Sequence, residues 1–171
     1  MARAGRVAQL PDLALARAPF ARGGRLAAGW PRRLPVGHKG PRRMKIDSLD
    51  HLVLAVEDID VSASFYSEML GMDAITLDGG RKALSFGVRK INLHRCGREL
   101  EPKAHRPTPG SADLCFLTSV PLADVLAHLA KCGVAAIEGP VLRMGATGPI
   151  LSVYFRDPDM NLIEVSNPVH A

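Results

Sequence analysis

One order of secondary-structure elements occurs twice along this chain. From about residue 49 the apolar pattern predicts a strand, a helix and three more strands, and the same order begins again near residue 113. Each unit spans roughly 50–60 residues, which is too few to bury a stable core alone. We therefore predict that two βαβββ units pack together as one α+β domain.

The first unit begins with an apolar strand at 49–56 and continues into a helix that ends near Leu70. Asp58 or Asp60 is suited to cap the helix start, and Gly71 is suited to end it. The predicted buried face of this helix repeats every four residues, at Val61, Phe65 and Met69. Three short strands are expected to follow, near 73–78, 83–87 and 90–95.

The second unit follows a polar, proline-rich loop at 96–111 and opens with a strand at 113–118. Pro121 begins its helix and Gly133 ends it. The apolar face of this helix is predicted to comprise Leu122, Val125, Leu126 and Leu129. The remaining strands are expected near 134–138, 150–156 and 161–166.

The first 43 residues differ in composition from the remainder. They hold ten Lys and Arg, one acidic residue and five prolines, whereas residues 44–171 hold twelve basic and sixteen acidic residues. We expect a disordered basic tail at 1–43 and a domain at 44–171, with modules at about 46–95 and 112–168. Two alternatives stay open, namely a wrongly assigned start with translation beginning at Met44, and a targeting segment, mitochondrial for example.

Composition also limits the partners of the domain. Its slight excess of acidic residues argues against nucleic-acid binding, and no stretch approaches the roughly 20 apolar residues of a membrane span. Three dispersed cysteines fit a reducing compartment, and Cys115 is expected in the core because its strand is apolar. We expect a cytoplasmic protein without nucleic-acid or membrane partners.

Polar residues within the apolar strands are the candidates for chemistry. His51 and Asp113 take equivalent positions in the first strands of the two units, while Asn92, His94 and Glu164 lie in the last strands. A pseudo-twofold arrangement would bring these positions to one centre. Imidazole and carboxylate groups together suit Zn, Ni, Mn or Fe(II). A hydrogen-bonded polar network inside a sheet is the alternative.

Both ends of the domain resemble the vicinal oxygen chelate superfamily, which includes glyoxalase I, fosfomycin-resistance transferases, bleomycin-resistance proteins and extradiol dioxygenases. The similar segments are HLVLAVED at 51–58, FY at 65–66, LGM at 70–72 and YFRDPDMNLIE at 154–164. Three further segments resemble a narrower group, glyoxalase domain-containing protein 5 and related bacterial proteins: KINLH at 90–94, EPK at 101–103 and GSADLCF at 110–116. The resemblance covers residues 46–168.

The resemblance implies paired βαβββ modules that form a cupped mixed sheet around a divalent metal ion. It implies that His51 and Glu164 are metal ligands, and that Glu164 is also the catalytic residue. Asp113 falls where many members have a histidine ligand. Asn92 falls near a first-module ligand position, and His94, two residues further along the same face, is a further candidate ligand.

The resemblance also bears on substrate binding and on one turn. Asn92 is a candidate substrate-binding residue, and so are Ser152, Tyr154 and Arg156, because fosfomycin-transferase relatives contact substrate from a similar strand. Met160 replaces a frequent glycine in the closing turn. We expect backbone strain there if the turn requires a positive φ.

The activity implied is that of a metal-dependent lyase or isomerase of the glyoxalase type. The metal would act as a Lewis acid on a small oxygenated substrate and stabilise an enediolate or alkoxide. One alternative is a metal-free protein of the bleomycin-resistance type that sequesters a drug or metabolite. Another is a ring-cleaving dioxygenase that uses His51, His94 and Glu164.

The length of the loop at 96–111 bears on assembly. About sixteen residues is long for a connection within a compact domain, so the loop can reach a partner chain. We therefore expect a homodimer in which His51 of one half meets Asp113 and Glu164 of the other.

Overall fold

Two βαβββ modules follow one another in the computed structural model, which describes residues 43–169. The first module comprises β1 (His51–Val56), α1 (Ile59–Leu70), β2 (Asp73–Thr76), a 3-10 turn (Asp78–Gly80), β3 (Lys82–Phe86) and β4 (Arg89–Arg95). The second comprises β5 (Asp113–Leu117), α2 (Leu122–Lys131), β6 (Glu138–Gly145), β7 (Gly148–Arg156) and β8 (Leu162–Pro168). The tail expected at 1–43 lies outside the described residues, apart from its last position.

Each module forms one mixed four-stranded sheet, and the strand order is the same in both. The first sheet has the order β1-β4-β3-β2, and the second has the order β5-β8-β7-β6. The pairs β1–β4 and β5–β8 are parallel, while the other neighbours are antiparallel. The predicted α+β class and its duplicated architecture are confirmed.

Helix α1 begins and ends where local chemistry predicts. The Asp58 carboxylate accepts hydrogen bonds from the backbone amides of Asp60 and Val61 at 2.9 and 3.0 Å. Gly71 ends the helix in the left-handed conformation, with a φ of 65°. The predicted buried face was partly wrong, because Val61 is 54% exposed and Tyr66 is completely buried.

The strand predicted at 134–138 lies elsewhere. Strand β6 starts only at Glu138 and runs to Gly145, because it pairs with β7 across a tight turn at 146–147. The register shifts between Glu138 and Val141, where Gly139 has a φ of 112°. A Cβ atom at Gly139 would lie 2.4 Å from the Ser152 carbonyl oxygen, so only glycine fits this close approach.

The two modules share one hydrophobic core. Leu54 and Ile91 contribute from one face of the first sheet, and Phe155 and Ile163 contribute from one face of the second. Tyr66 of α1 belongs to the same core and is fully buried. Burial of both apolar faces in one core explains why neither module needs to be stable alone.

The opposite face of each sheet does not belong to this core. Because side chains alternate along a strand, these faces carry the polar candidates. We call them the first outer face, with His51, Val53, Ala55, Asn92 and His94, and the second outer face, with Asp113, Cys115, Ser152, Tyr154, Glu164 and Ser166.

Across residues 43–169, no helix is long and apolar enough to cross a membrane.

Candidate active site

Glu164 lies in the middle of the second outer face. Strand register places it beside Cys115 of β5 on one side and Tyr154 of β7 on the other. The Ser166 hydroxyl donates a hydrogen bond of 3.3 Å to the Glu164 carboxylate, and it lies 2.8 Å from the Ser152 hydroxyl. Both serines are completely buried, so the hydroxyl groups that contact Glu164 are held in place within the sheet.

These neighbours determine the charge of Glu164. Partial burial alone would raise the pKa of this carboxyl, but side-chain hydrogen bonds from Ser152, Tyr154, Cys115 and Ser166 outweigh it and lower the pKa. Hydrogen bonds to the charged form of a carboxyl favour ionisation. Glu164 is therefore a carboxylate at neutral pH, as a metal ligand or a general base requires.

Arg143 supports Tyr154, a contact that sequence reasoning missed. The Arg143 Nε donates to the Tyr154 hydroxyl at 3.2 Å, and a second guanidinium nitrogen donates to Glu138 at 2.6 Å. Burial and the hydrogen bond to Glu164 raise the pKa of Tyr154, despite the opposing effect of Arg143. The phenol therefore stays protonated at neutral pH and can donate a hydrogen bond to Glu164.

Cys115 is not a core residue, which corrects the prediction from the sequence. It is exposed on the second outer face, with its sulfur 3.6 Å from the Ser166 hydroxyl. Partial desolvation of the sulfur against the sheet, together with the charge of Glu164, raises the pKa of Cys115. Cys115 is therefore a neutral thiol at neutral pH and not an activated nucleophile.

His51 lies at the start of the first outer face and is accessible, with its side chain 42% exposed. Its Nδ1 atom is 2.6 Å from a carboxylate oxygen of Asp50. The pKa of Asp50 is lowered chiefly by this hydrogen bond. If Nδ1 donates its hydrogen to Asp50, the Nε2 lone pair is available to a metal, as in many metal-binding histidines.

Strand register separates His94 from His51. His94 lies opposite Ala55, four residues along β1 from His51, whereas Asn92 lies opposite Val53, two residues from His51. At about 3.3 Å per residue, His94 is displaced by roughly 13 Å along the strand. Asn92 is thus the nearer of the two polar β4 residues.

The duplicated architecture also favours Asn92 over His94 as the partner of His51. In the second sheet Asp113 lies opposite Leu162, and Glu164 is the next β8 residue on the same face. In the first sheet His51 lies opposite Lys90, and Asn92 is the next β4 residue on that face. Asn92 is therefore the internal equivalent of Glu164.

Two polar atoms on the first outer face lack hydrogen-bond partners. The Asn92 side-chain oxygen and the His94 Nδ1 are both buried, and neither contacts a donor or acceptor within the described residues. A buried polar atom without a partner costs about 1–3 kcal/mol. Such groups need a partner, for example an ordered water, an ion or a bound ligand.

The described part of one chain does not bring the candidate ligands together. Among residues 43–169, no three His, Cys, Asp or Glu side chains are close enough together to hold a metal ion. A cavity of about 620 Å³ beside Glu164 is lined by the second module alone. Asp113 is exposed at the start of β5. His51 and Glu164 therefore belong to separate outer faces.

Arg156, a candidate for substrate binding, contacts the backbone of the closing turn. Its guanidinium donates a hydrogen bond of 3.1 Å to the Met160 carbonyl in the closing turn. Met160 itself has a φ of 70°, so the condition under which strain was expected at this turn is met.

The fold and the positions of these residues can be compared with known proteins. Residues 48–165 match the family model described as Glyoxalase/Bleomycin resistance protein/Dioxygenase superfamily. The chain belongs to this superfamily. Its two mixed sheets are consistent with the superfamily's paired βαβββ fold.

Several members of the superfamily are similar to this chain over most of their length. Virulence protein STM3117 of Salmonella typhimurium is 56% identical over 132 residues, which are 77% of this chain and 92% of the relative. Its crystal structure has a TM-score of 0.72 and covers 74% of this chain and 100% of its own. Glyoxalase domain-containing protein RDO1 of Mycosarcoma maydis is 50% identical over 146 residues, 83% of this chain and 82% of the relative.

Proposed function

We propose that the protein is a metal-dependent lyase or isomerase of the glyoxalase type, acting on a small oxygenated molecule. The observation that carries this proposal is Glu164, a carboxylate kept ionised by four neighbours on an accessible sheet face. A structural carboxylate is normally paired with a cation, whereas these neighbours are hydroxyl and thiol groups. An ionised carboxylate in this setting is suited to a metal ion or to a substrate proton.

The donor groups suit a divalent ion. His51, held by Asp50, offers an imidazole nitrogen, while Glu164 and Asp113 offer carboxylate oxygens. One imidazole and two carboxylates are appropriate for Zn, Ni, Mn or Fe(II). When bound, the ion would supply Lewis acidity toward neighbouring substrate oxygens.

Other residues have roles that follow from their protonation states. Glu164 can accept a proton from a substrate carbon or oxygen because its pKa is lowered and it is ionised. Tyr154, kept protonated, can donate a hydrogen bond to substrate or to Glu164, and Arg143 holds it in position. Ser166 donates a hydrogen bond to the Glu164 carboxylate and lies against Ser152, and this contact orients the carboxylate.

We further propose that two chains combine to complete the site. In one chain the outer faces lie on separate sheets, and both display apolar side chains, such as Val53 at 51% and Leu117 at 61% exposed. Pairing the first outer face of one chain with the second outer face of a partner would cover this surface and bring His51 to Glu164. A homodimer with twofold symmetry would form two such sites. Three free cysteines suit a cytoplasmic location.

Metal content tests this proposal. We expect about one divalent ion per chain in the purified protein, and a loss of at least about tenfold in metal affinity for His51→Ala and Glu164→Ala. His105→Ala is a matched control because His105 is exposed in the loop before β5. Equal metal content in the wild type and all three variants, measured by elemental analysis, would refute the proposed centre.

A metal-free protein that sequesters a small molecule is the second candidate. It is favoured by the lack of a three-ligand cluster among residues 43–169 of one chain. In that case the purified protein and both site variants would contain no stoichiometric metal, yet a small molecule would still bind to the outer faces.

A further inference from the structure

A second cavity, of about 410 Å³, lies over the far end of the first outer face. Its base is formed by β1 and β4 through Val53, Ala55 and His94, and its walls are formed by residues of the loop between β4 and β5. Pro102 and Pro107 make parts of these walls apolar. The cavity is thus large enough for a small molecule and lies on the same face as His51.

The loop wall is held by its own hydrogen bonds. The Glu99 carboxylate accepts from the Gly97 amide at 2.9 Å and from Lys103 Nζ at 3.1 Å. Ser111 donates to the Thr108 carbonyl at 2.7 Å. A wall organised in this way can present side chains to a ligand at little further entropic cost.

The polar groups of this cavity carry one unmatched positive charge. Glu99 offsets the charge of Lys103, whereas Arg106, which also lines the cavity, makes no ion pair within residues 43–169. At the base, the buried Nδ1 of His94 has no hydrogen-bond partner in that range. A ligand with one negative charge would therefore match Arg106 and satisfy His94.

We propose that this cavity binds the carboxylate group of a small substrate that also has a short hydrocarbon portion. The proposal rests on the proposed function, since it assigns a substrate class to the proposed enzyme through a cavity on the sheet face that carries His51. The planar guanidinium of Arg106 can bind a carboxylate through two parallel hydrogen bonds. A doubly charged phosphate would leave one charge unmatched near apolar walls, which is unfavourable.

Binding of butyrate to the metal-free full chain tests this assignment. Chelator-treated protein excludes binding to a metal, and NMR chemical shifts report which residues respond. We expect saturable butyrate binding that shifts resonances of His94 and Arg106. Butyramide, the neutral amide of the same shape, should bind at least about tenfold more weakly, because it lacks the charge that Arg106 recognises. Inorganic phosphate should also bind more weakly than butyrate.

Two arginine variants distinguish a cavity from general surface charge. Arg106→Gln should raise the butyrate dissociation constant at least about tenfold, whereas Arg98→Gln, exposed outside the cavity, should leave it unchanged. His94→Gln should weaken binding as well. Equal weakening by both arginine variants, equal binding of butyrate and butyramide, tighter binding of phosphate, or shifts confined to other regions would each overturn the proposal.

These measurements are independent of the metal experiment. Metal content unaffected by His51→Ala and Glu164→Ala would remove the proposed centre, even if butyrate binds as expected. Conversely, if the metal centre is confirmed but the protein does not bind butyrate, only the proposed carboxylate site is refuted.

Discussion

The Tyr66 hydroxyl donates a 2.8 Å hydrogen bond to Asp157, ninety-one positions further along the chain. The bond joins helix α1 of the first module to the closing turn of the second. Asn161 donates to the same carboxylate oxygen of Asp157, also at 2.8 Å. The three residues therefore link the modules through a buried polar contact inside the shared core.

Removal of the Tyr66 hydroxyl should destabilise the domain. We expect Tyr66→Phe to lower the free energy of unfolding by about 1–3 kcal/mol, because Asp157 loses a buried donor. Urea unfolding monitored by circular dichroism measures this change. Tyr154→Phe, a half-buried tyrosine outside the core, should cost less than Tyr66→Phe. Equal losses of unfolding free energy in the two variants would contradict a specific stabilising role for the Tyr66–Asp157 hydrogen bond.

The same tyrosine should make the fold sensitive to alkali. Burial, and then the negative charge of Asp157, raise the pKa of Tyr66 well above its ordinary value. Its stabilising contribution is complete below the unfolded-state pKa of about 10 and decreases as pH rises beyond it. Stability of the wild type should therefore fall above about pH 10, by up to about 1.4 kcal/mol per pH unit. Tyr66→Phe should show a shallower decline in the same titration.

Met160 stores backbone strain in the closing turn. Its φ of 70° is unfavourable for a side chain with a Cβ atom, and the residue is 62% exposed, so little packing is lost on substitution. We expect Met160→Gly to raise the free energy of unfolding by about 0.5–1 kcal/mol. Met144→Gly, at an exposed methionine in strand β6, should instead be neutral or destabilising. If both glycine variants were stabilised, or neither were, the positive φ of Met160 would not be a source of strain.

Local signals in the sequence predicted much of this fold. Asp58 caps α1 through amides two and three residues away, and Gly71 ends the same helix, so both depend only on nearby residues. The strand at 134–138 was predicted wrongly because its position is set by pairing with β7. The burial of Tyr66 was missed because its partner, Asp157, is distant in sequence.

In the candidate site, too, features set by nearby residues could be predicted, whereas features set by strand register could not. Alternation along a strand places Glu164 and Ser166 on one face, and this could be predicted from spacing alone. The contact of Arg143 with Tyr154 requires the register of β6 against β7, which the sequence does not show. Likewise, the displacement of His94 from His51 follows only from the β1–β4 register.

The basic N-terminal segment should be dispensable for the domain. The crystal structure of the STM3117 relative is matched over 100% of its length by 74% of this chain, and the superfamily match begins at residue 48. We expect deletion of residues 1–43 to change the free energy of unfolding by less than about 0.5 kcal/mol. Deletion through Val56, which removes β1 from the core, should prevent folding. A markedly lower thermal midpoint after the shorter deletion would contradict this prediction.

Mixing two variants that each lose metal should reveal whether the site is shared between chains. In a mixed dimer of His51→Ala and Glu164→Ala, one site would carry both lesions and the other would carry none. With random exchange half of the dimers are mixed, so metal content should recover to about a quarter of the wild-type value. Elemental analysis after subunit exchange and removal of excess metal measures this recovery.

The matched control mixes Asp113→Ala with Glu164→Ala. Both substitutions lie in the second module, so every site of the mixed dimer would keep one lesion, and no recovery is expected. If light scattering at micromolar concentration showed a monomer, the proposed dimer would be refuted. A dimer that exchanges subunits, yet recovers no metal when His51→Ala and Glu164→Ala are mixed, would place each site within one chain.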